Sequence, residues 1–180
     1  EQNSEIKNIN IHSAKPTITE EVAKEILGLV KSANKPLIIL GSGAYWSGAG
    51  YEIREFSKKF AIPVFGNSMG RGLVPEDDLL GWSWAYAQSV AKFSDLIICV
   101  GARLTQRLGY GLSPMFNKKA KFIQIDILAE EIGRSKFIDY PIVSDARNAF
   151  IELNKLSISN KVDFKTTTEW VRIGLEENKK

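Results

Sequence analysis

Histidine and cysteine are almost missing from this chain: it has one of each among 180 residues. The single cysteine, Cys99, excludes an intrachain disulfide framework. Its place inside the apolar run 96–100 reads as a buried, inert thiol. With only His12 to draw on, no Ser-His-acid arrangement can be assembled. No second histidine, cysteine or acid stands at ligand spacing from His12, so a metal role for it is not supported. Paired carboxylates for general acid–base work do not stand out either. No apolar stretch approaches the roughly 20 residues that cross a bilayer. An excess of one charge is also missing: 24 lysines and arginines face 21 acids, giving a net charge of +3 with the signs interspersed. That is too mild a balance to indicate nucleic acid. The first residues, EQNSEIKN, show neither an initiating methionine nor a signal-peptide profile, and read as the start of a piece cut from a longer cytoplasmic protein.

What is present is an alternation of apolar runs and amphipathic segments. Residues 1–16 read as a lead-in or interdomain linker, 17–158 as one domain, and 159–180 as a connection toward a further domain. Thr17 and Glu20 have capping-box spacing, and Val22, Ile26, Val30 and Ala33 then recur at near-helical intervals. The run 37–40 predicts a buried strand, followed by a glycine turn and a helix over 47–60. Further strands are predicted at 62–65, 96–100, 121–126 and 140–143. Helices are predicted at 84–93, with Tyr86, Val90 and Phe93 inward, at 129–133, and from Ala146 onward with Ser144 as cap. Strands lacking polar alternation, interleaved with helices, give an α/β fold with a parallel sheet flanked by helices. Strand order is not readable at this level.

In open sheets of this class, ligands bind beyond the carboxyl ends of the strands. Gly41 and Gly43 follow the first strand, where they either admit a phosphate or ribose or serve tight packing. They do not complete GxGxxG, because position 46 is Trp, and no Walker loop is present. Arg71 lies between two glycines, and Arg103 follows Gly101 directly after a strand; both suit a phosphate. Arg107 suits a phosphate or a neighbouring domain. Asp126 ends a strand and can accept from ribose hydroxyls, or cap the next short helix. Asp145 contacts an adenine-side group or complements the last helix's dipole. The aromatics Trp82, Trp84, Tyr86, Tyr110 and Phe116 are better read as packing than as a stacking platform.

Four phrases then carry a resemblance: KPLIILGSGAYWSGAGYEIREFSKKFAIPV at 35–64, MGRG at 69–72, SDLIICVGARL at 94–104, and KFIQIDILAEEIG at 121–133. In this order and spacing the chain resembles, over 17–150, the Rossmann-like central domain of thiamine-diphosphate-dependent enzymes. That family includes acetolactate synthase, oxalyl-CoA decarboxylase and 2-hydroxyacyl-CoA lyase. The resemblance implies a parent enzyme making or breaking a carbon–carbon bond in 2-keto or 2-hydroxyacyl substrates. It implies flanking N- and C-terminal domains that hold thiamine diphosphate and magnesium, and a homodimer or homotetramer. This piece alone is then expected to be inactive.

The central domain of such relatives holds FAD, or ADP or the adenosine end of CoA. Carried over, Gly41 and Gly43 lie near the nucleotide, Arg103 near its phosphates and Asp126 at ribose. Asp145 stands for the acid of the family's Gly-Asp pair, which here is Ser144-Asp145. The continuation GARLTQRLGYGLSPMF is closer to the CoA-lyase and decarboxylase branch than to the synthases. Two rivals are a structural spacer with an empty crevice and an independent NAD-dependent enzyme. The absent fingerprint and the shortage of histidine disfavour the second.

Overall fold

The computed structural model describes residues 14–158 and 170–172. His12, most of the lead-in and most of the C-terminal connection therefore lie outside the described residues.

Helix α1 (Glu20–Ser32) begins at Thr19, whose hydroxyl oxygen accepts the Val22 N–H at 3.3 Å. The cap is thus Thr19 and not Thr17, because Ile18 is buried in the core and keeps the chain extended up to that point. Strand β1 (Pro36–Leu40) is buried throughout. Its entrance is fixed by Asp95, which accepts the Asn34 and Lys35 N–H groups at 2.8 and 2.9 Å.

The helix expected over 47–60 is α3 (Gly50–Phe60), and most of the glycine turn expected before it is itself a short helix, α2 (Ser42–Ser47). Gly48 divides them in the left-handed region at φ +71°, where its N–H closes onto the Tyr45 carbonyl at 2.9 Å. Strand β2 (Val64–Gly66) is followed by the two-residue strand β3 (Gly81–Trp82), too short to show any period in sequence. Helix α4 (Trp84–Val90) continues as a 3-10 turn, and this tightening carries Phe93 outward, so it is exposed rather than inward. The Lys92 and Lys35 ammonium groups lie over its ring at 5.0 and 6.0 Å. Strands β4 (Leu96–Val100), β5 (Lys121–Asp126) and β6 (Tyr140–Val143) precede helix α5 (Ala146–Ile158).

The six strands are all parallel, in the order β3-β2-β1-β4-β5-β6. The chain runs outward from β1 to β3, crosses back, and runs outward again from β4 to β6. β1 and β4 are therefore neighbours at the reversal, with Leu40 beside Val100. Crevices form at such a reversal because successive loops diverge to opposite faces.

Alternate strand residues feed two cores. Ile38, Leu40, Ile98 and Ile123 pack with α1, α3 and α5, where Phe56 meets Phe60 and Phe150. Leu37, Ile39, Ile97 and Phe122 pack on the other face with α4 and with Trp170. Trp82 and Tyr86 are buried in this second core with ring centroids 4.7 Å apart, and Phe116 is buried beside Phe122. Residues 170–172 form a helical turn, so this part of the C-terminal connection is packed onto the domain.

Cys99 is fully buried, and burial pushes its thiol up to about 12, against a small opposing pull from Lys136. A thiolate is the reactive form. The native protein should therefore react with a chromogenic disulfide reagent only as fast as it opens, and at once when denaturant is added. Rapid labelling of the native form would contradict this burial.

Candidate functional site

The carboxyl ends of β1, β2, β4, β5 and β6 surround one cleft of about 630 Å³. Its floor is two crossing loops. Gly41 N–H donates to the Val100 carbonyl and Gly43 N–H to the Gly101 carbonyl, both at 3.0 Å. A Cβ on Gly41 would collide with the Gly101 carbonyl, and one on Gly43 would lie 2.7 Å from Gly101 Cα. Both glycines line the cleft, but the close crossing of the loops already accounts for their missing side chains.

Asp145 carries the densest set of contacts. Its Oδ1 accepts the Asn148 N–H at 3.1 Å and the Ser47 hydroxyl at 2.9 Å, and Lys15 Nζ lies 3.3 Å from Oδ2. The cap of α5 is thus Asp145 and not Ser144, whose hydroxyl instead donates to the Pro16 carbonyl at 3.2 Å. Burial opposes the Asp145 charge. The hydrogen bonds from Asn148, Ser47 and Lys15, with the Lys15 charge, outweigh it and hold the carboxyl below its usual range. This stabilisation is complete above the unfolded value of about 4 and is lost as pH falls through the lower folded value. Lys15, read from sequence as lead-in, therefore lines the cleft, and Pro16 is bonded to the cleft residue Ser144.

Asp126 behaves in the opposite sense. Its Oδ1 accepts the Leu128 N–H at 3.0 Å, the capping alternative, while the residue also lines the cleft. Burial raises its pKa, and the Leu128 hydrogen bond and Arg103 only partly offset that.

Arg103 Nη2 is 3.2 Å from Glu131 Oε1, and Arg134 Nη1 is 3.2 Å from the same oxygen. Glu131 is held from below. The buried Gln124 of β5 donates from Nε2 to the Glu131 carbonyl and accepts the Gly133 N–H at Oε1, each at 3.1 Å. Arg107 lines the cleft without an ion pair among the described residues.

Five of the six residues expected at the site, Gly41, Gly43, Arg103, Asp126 and Asp145, therefore meet at one cleft. Arg71 does not. Its Nη2 and Nε lie 3.0 and 3.1 Å from Glu76 Oε1, so an acid five residues on captures the guanidinium at the surface. Sequence reasoning missed Lys15, Trp46, Ser47, Asn67 and Glu131 as lining residues. The signal for Asn67 was a polar residue one step beyond a buried strand; Lys15 in the lead-in and Glu131 in the short helical turn after β5 carried no comparable sign.

The cleft thus joins three cations, Lys15, Arg103 and Arg107, with three acids, Asp126, Glu131 and Asp145. Among the described residues no group of His, Cys, Asp or Glu is arranged to hold a metal ion.

Residues 23–153 match the family described as "thiamine pyrophosphate enzyme, central domain". The chain is 38% identical over 132 residues to acetolactate synthase of Arthrospira platensis, covering 68% of this chain and 23% of that protein. It is 35% identical over 107 residues to human 2-hydroxyacyl-CoA lyase 1, covering 59% of this chain and 18% of that protein. The chain therefore spans about a fifth of the length of these relatives. Benzoylformate decarboxylase from Polynucleobacter necessarius superposes with a TM-score of 0.67 at 20% identity, over 87% of this chain and 30% of that one, a likeness of fold. On the strength of the family match across both cores and the cleft, the chain belongs to the thiamine pyrophosphate enzymes as their central domain.

Proposed function

We propose that this domain binds the adenosine diphosphate end of a nucleotide (FAD, ADP or coenzyme A) at the cleft between β1 and β4. Its setting is a parent enzyme that uses thiamine diphosphate to make or break a carbon–carbon bond in 2-keto or 2-hydroxyacyl substrates. In that reading, flanking domains hold thiamine diphosphate and magnesium, and the parent is a cytoplasmic homodimer or homotetramer. In that reading the catalytic steps belong to the flanking domains, and this domain contributes the nucleotide cleft.

The observation that carries the reading is the pairing of Asp126 with Arg103 and Arg107 in one cleft of about 630 Å³. Small-ligand sites are typically about 300–1,000 Å³. A carboxylate lining the cleft suits ribose hydroxyls, and guanidinium groups suit a pyrophosphate. Holding the carboxylate charged in a half-dry cleft is unfavourable for folding, which is what a raised pKa means.

Asp126→Asn tests this directly. Asparagine keeps an acceptor for the Leu128 N–H and removes the charge. At neutral pH the variant should melt no lower than the parent, and the difference should vanish below about pH 4, where aspartate is protonated in both states. The parent should be stabilised against heat by at least one of ADP, CoA or FAD. Asp126→Asn should weaken that ligand about tenfold or more, as expected for loss of a charged hydrogen bond. Tight, yellow flavin binding would favour the synthase-like branch, and selective ADP or CoA binding the lyase-like branch.

A second reading, a structural spacer, is favoured by two observations. Loop crossing already explains Gly41 and Gly43, and Arg103 is already paired with Glu131. Absence of any thermal shift with all three nucleotides would establish it over the first.

A further inference from the structure

The residue that breaks the dinucleotide fingerprint is the one exposed tryptophan of the described structure. Trp46 is 72% exposed, whereas Trp82 and Trp170 are buried and Trp84 is partly buried against Phe65. A large aromatic surface left in water at the lip of a cleft is an informative exception to burial.

Its backbone is firmly held. Tyr45 stands edge-on to the indole at 5.3 Å and 79°. The next residue, Ser47, accepts the Arg147 N–H at 2.8 Å and donates to Asp145 at 2.9 Å, which fastens α2 to the start of α5. Gly48 then ends the helix in the left-handed region. Trp46 lines the cleft from the β1 side, and Ile127 and Leu128, 48% and 49% exposed, line it from the β5 side. Only β4 separates those two strands. Trp46 and the Ile127–Leu128 pair thus offer apolar surface to one cleft from two different loops.

Granted the nucleotide reading of the cleft, on which this rests, we propose that Trp46 is the stacking platform for the ligand's planar base. The cleft then selects nucleotides over base-free phosphates. Arg103, Arg107 and Asp126 recognise what any sugar phosphate offers, whereas the indole recognises only an aromatic ring. Every base presents a π-face, and stacking on an aromatic side chain is sequence-tolerant. The platform therefore fixes the class of ligand and leaves the choice among adenine-bearing ligands to other groups.

The test uses the full chain with ADP and, as the base-free probe, inorganic pyrophosphate. Titration with ADP should quench the long-wavelength tryptophan emission of the parent, since Trp46 is its most water-exposed indole. Trp46→Ala should lose that quench and bind ADP roughly 10- to 100-fold more weakly, the range set by one lost stacking contact. Pyrophosphate affinity should stay unchanged, and Trp46→Phe should retain most of the ADP affinity. If the parent binds ADP and Trp46→Ala binds it equally well, the stacking role is overturned while the nucleotide reading stands. If the parent binds none of ADP, CoA or FAD, both fall together.

Discussion

Replacing Trp170 with alanine is expected to destabilise the domain by about 3–5 kcal/mol, the range for emptying a large aromatic site in a core. The indole is 2% exposed, its ring meets Trp82 at 5.7 Å, and its Nε1 donates to the Pro36 carbonyl at 3.0 Å. Lys35 Nζ lies over the same ring at 5.8 Å. The residue thus closes one face of the sheet at the start of β1, from a segment more than a hundred residues away. Equilibrium denaturation should show a lower midpoint for Trp170→Ala, and a comparable loss for a chain ended at residue 158. Trp170→Phe refills most of the space and leaves the Pro36 carbonyl unpaired, so it should cost less, about 1–3 kcal/mol. A chain ended at 158 with unchanged stability would show that the second core closes without this segment.

The second large effect is expected at the floor of the cleft. In Gly41→Ala the new methyl group meets backbone alone: the Gly101 carbonyl, then Ala102 Cα at 2.5 Å and Gly101 C at 2.8 Å. No side chain can rotate away, so the ends of β1 and β4 must part. The Gly41-to-Val100 and Gly43-to-Gly101 hydrogen bonds go with them. The cost should reach the upper end of the overpacking range, about 3 kcal/mol or more. Ligand affinity should fall with it, because the same loops carry Arg103 into the cleft. Gly28→Ala is the internal control. That glycine is exposed in α1 with nothing near its missing Cβ, and alanine there should stabilise by about 0.5–1 kcal/mol. Thermal melts of the two variants should therefore move in opposite directions.

The central strands β1 and β4 were legible because burial on both faces leaves an unbroken apolar run, whereas the two-residue β3 was not. β1 and β4 are buried at every position, and each lies where its run predicts. The order of strands was not legible, since neighbours in a parallel sheet are chosen by long-range packing that no local period records. The short helix α2 was hidden because Gly41 and Gly43, at its cap and within it, read as a turn. Asp126 could be singled out as an acid ending a strand and Asp145 as an acid at the start of the last helix, and both reach the cleft. Arg71 misled because an arginine between glycines looks like a phosphate loop, while its partner Glu76 lies outside that local pattern. Glu131 and Lys15 were passed over for the converse reason. A charge outside the strands looks solvated until the fold brings Arg103 to one and Asp145 to the other.

The loop after β5 takes its shape from Gln124, an amide inside the sheet that grips both the Glu131 carbonyl and the Gly133 N–H. A rim moored from underneath does not depend on its outward side chains for its form. Ile127, Leu128 and Glu130 can therefore be exchanged like fittings on a fixed rail, letting one scaffold be re-dressed for another occupant without rebuilding the strand that carries it.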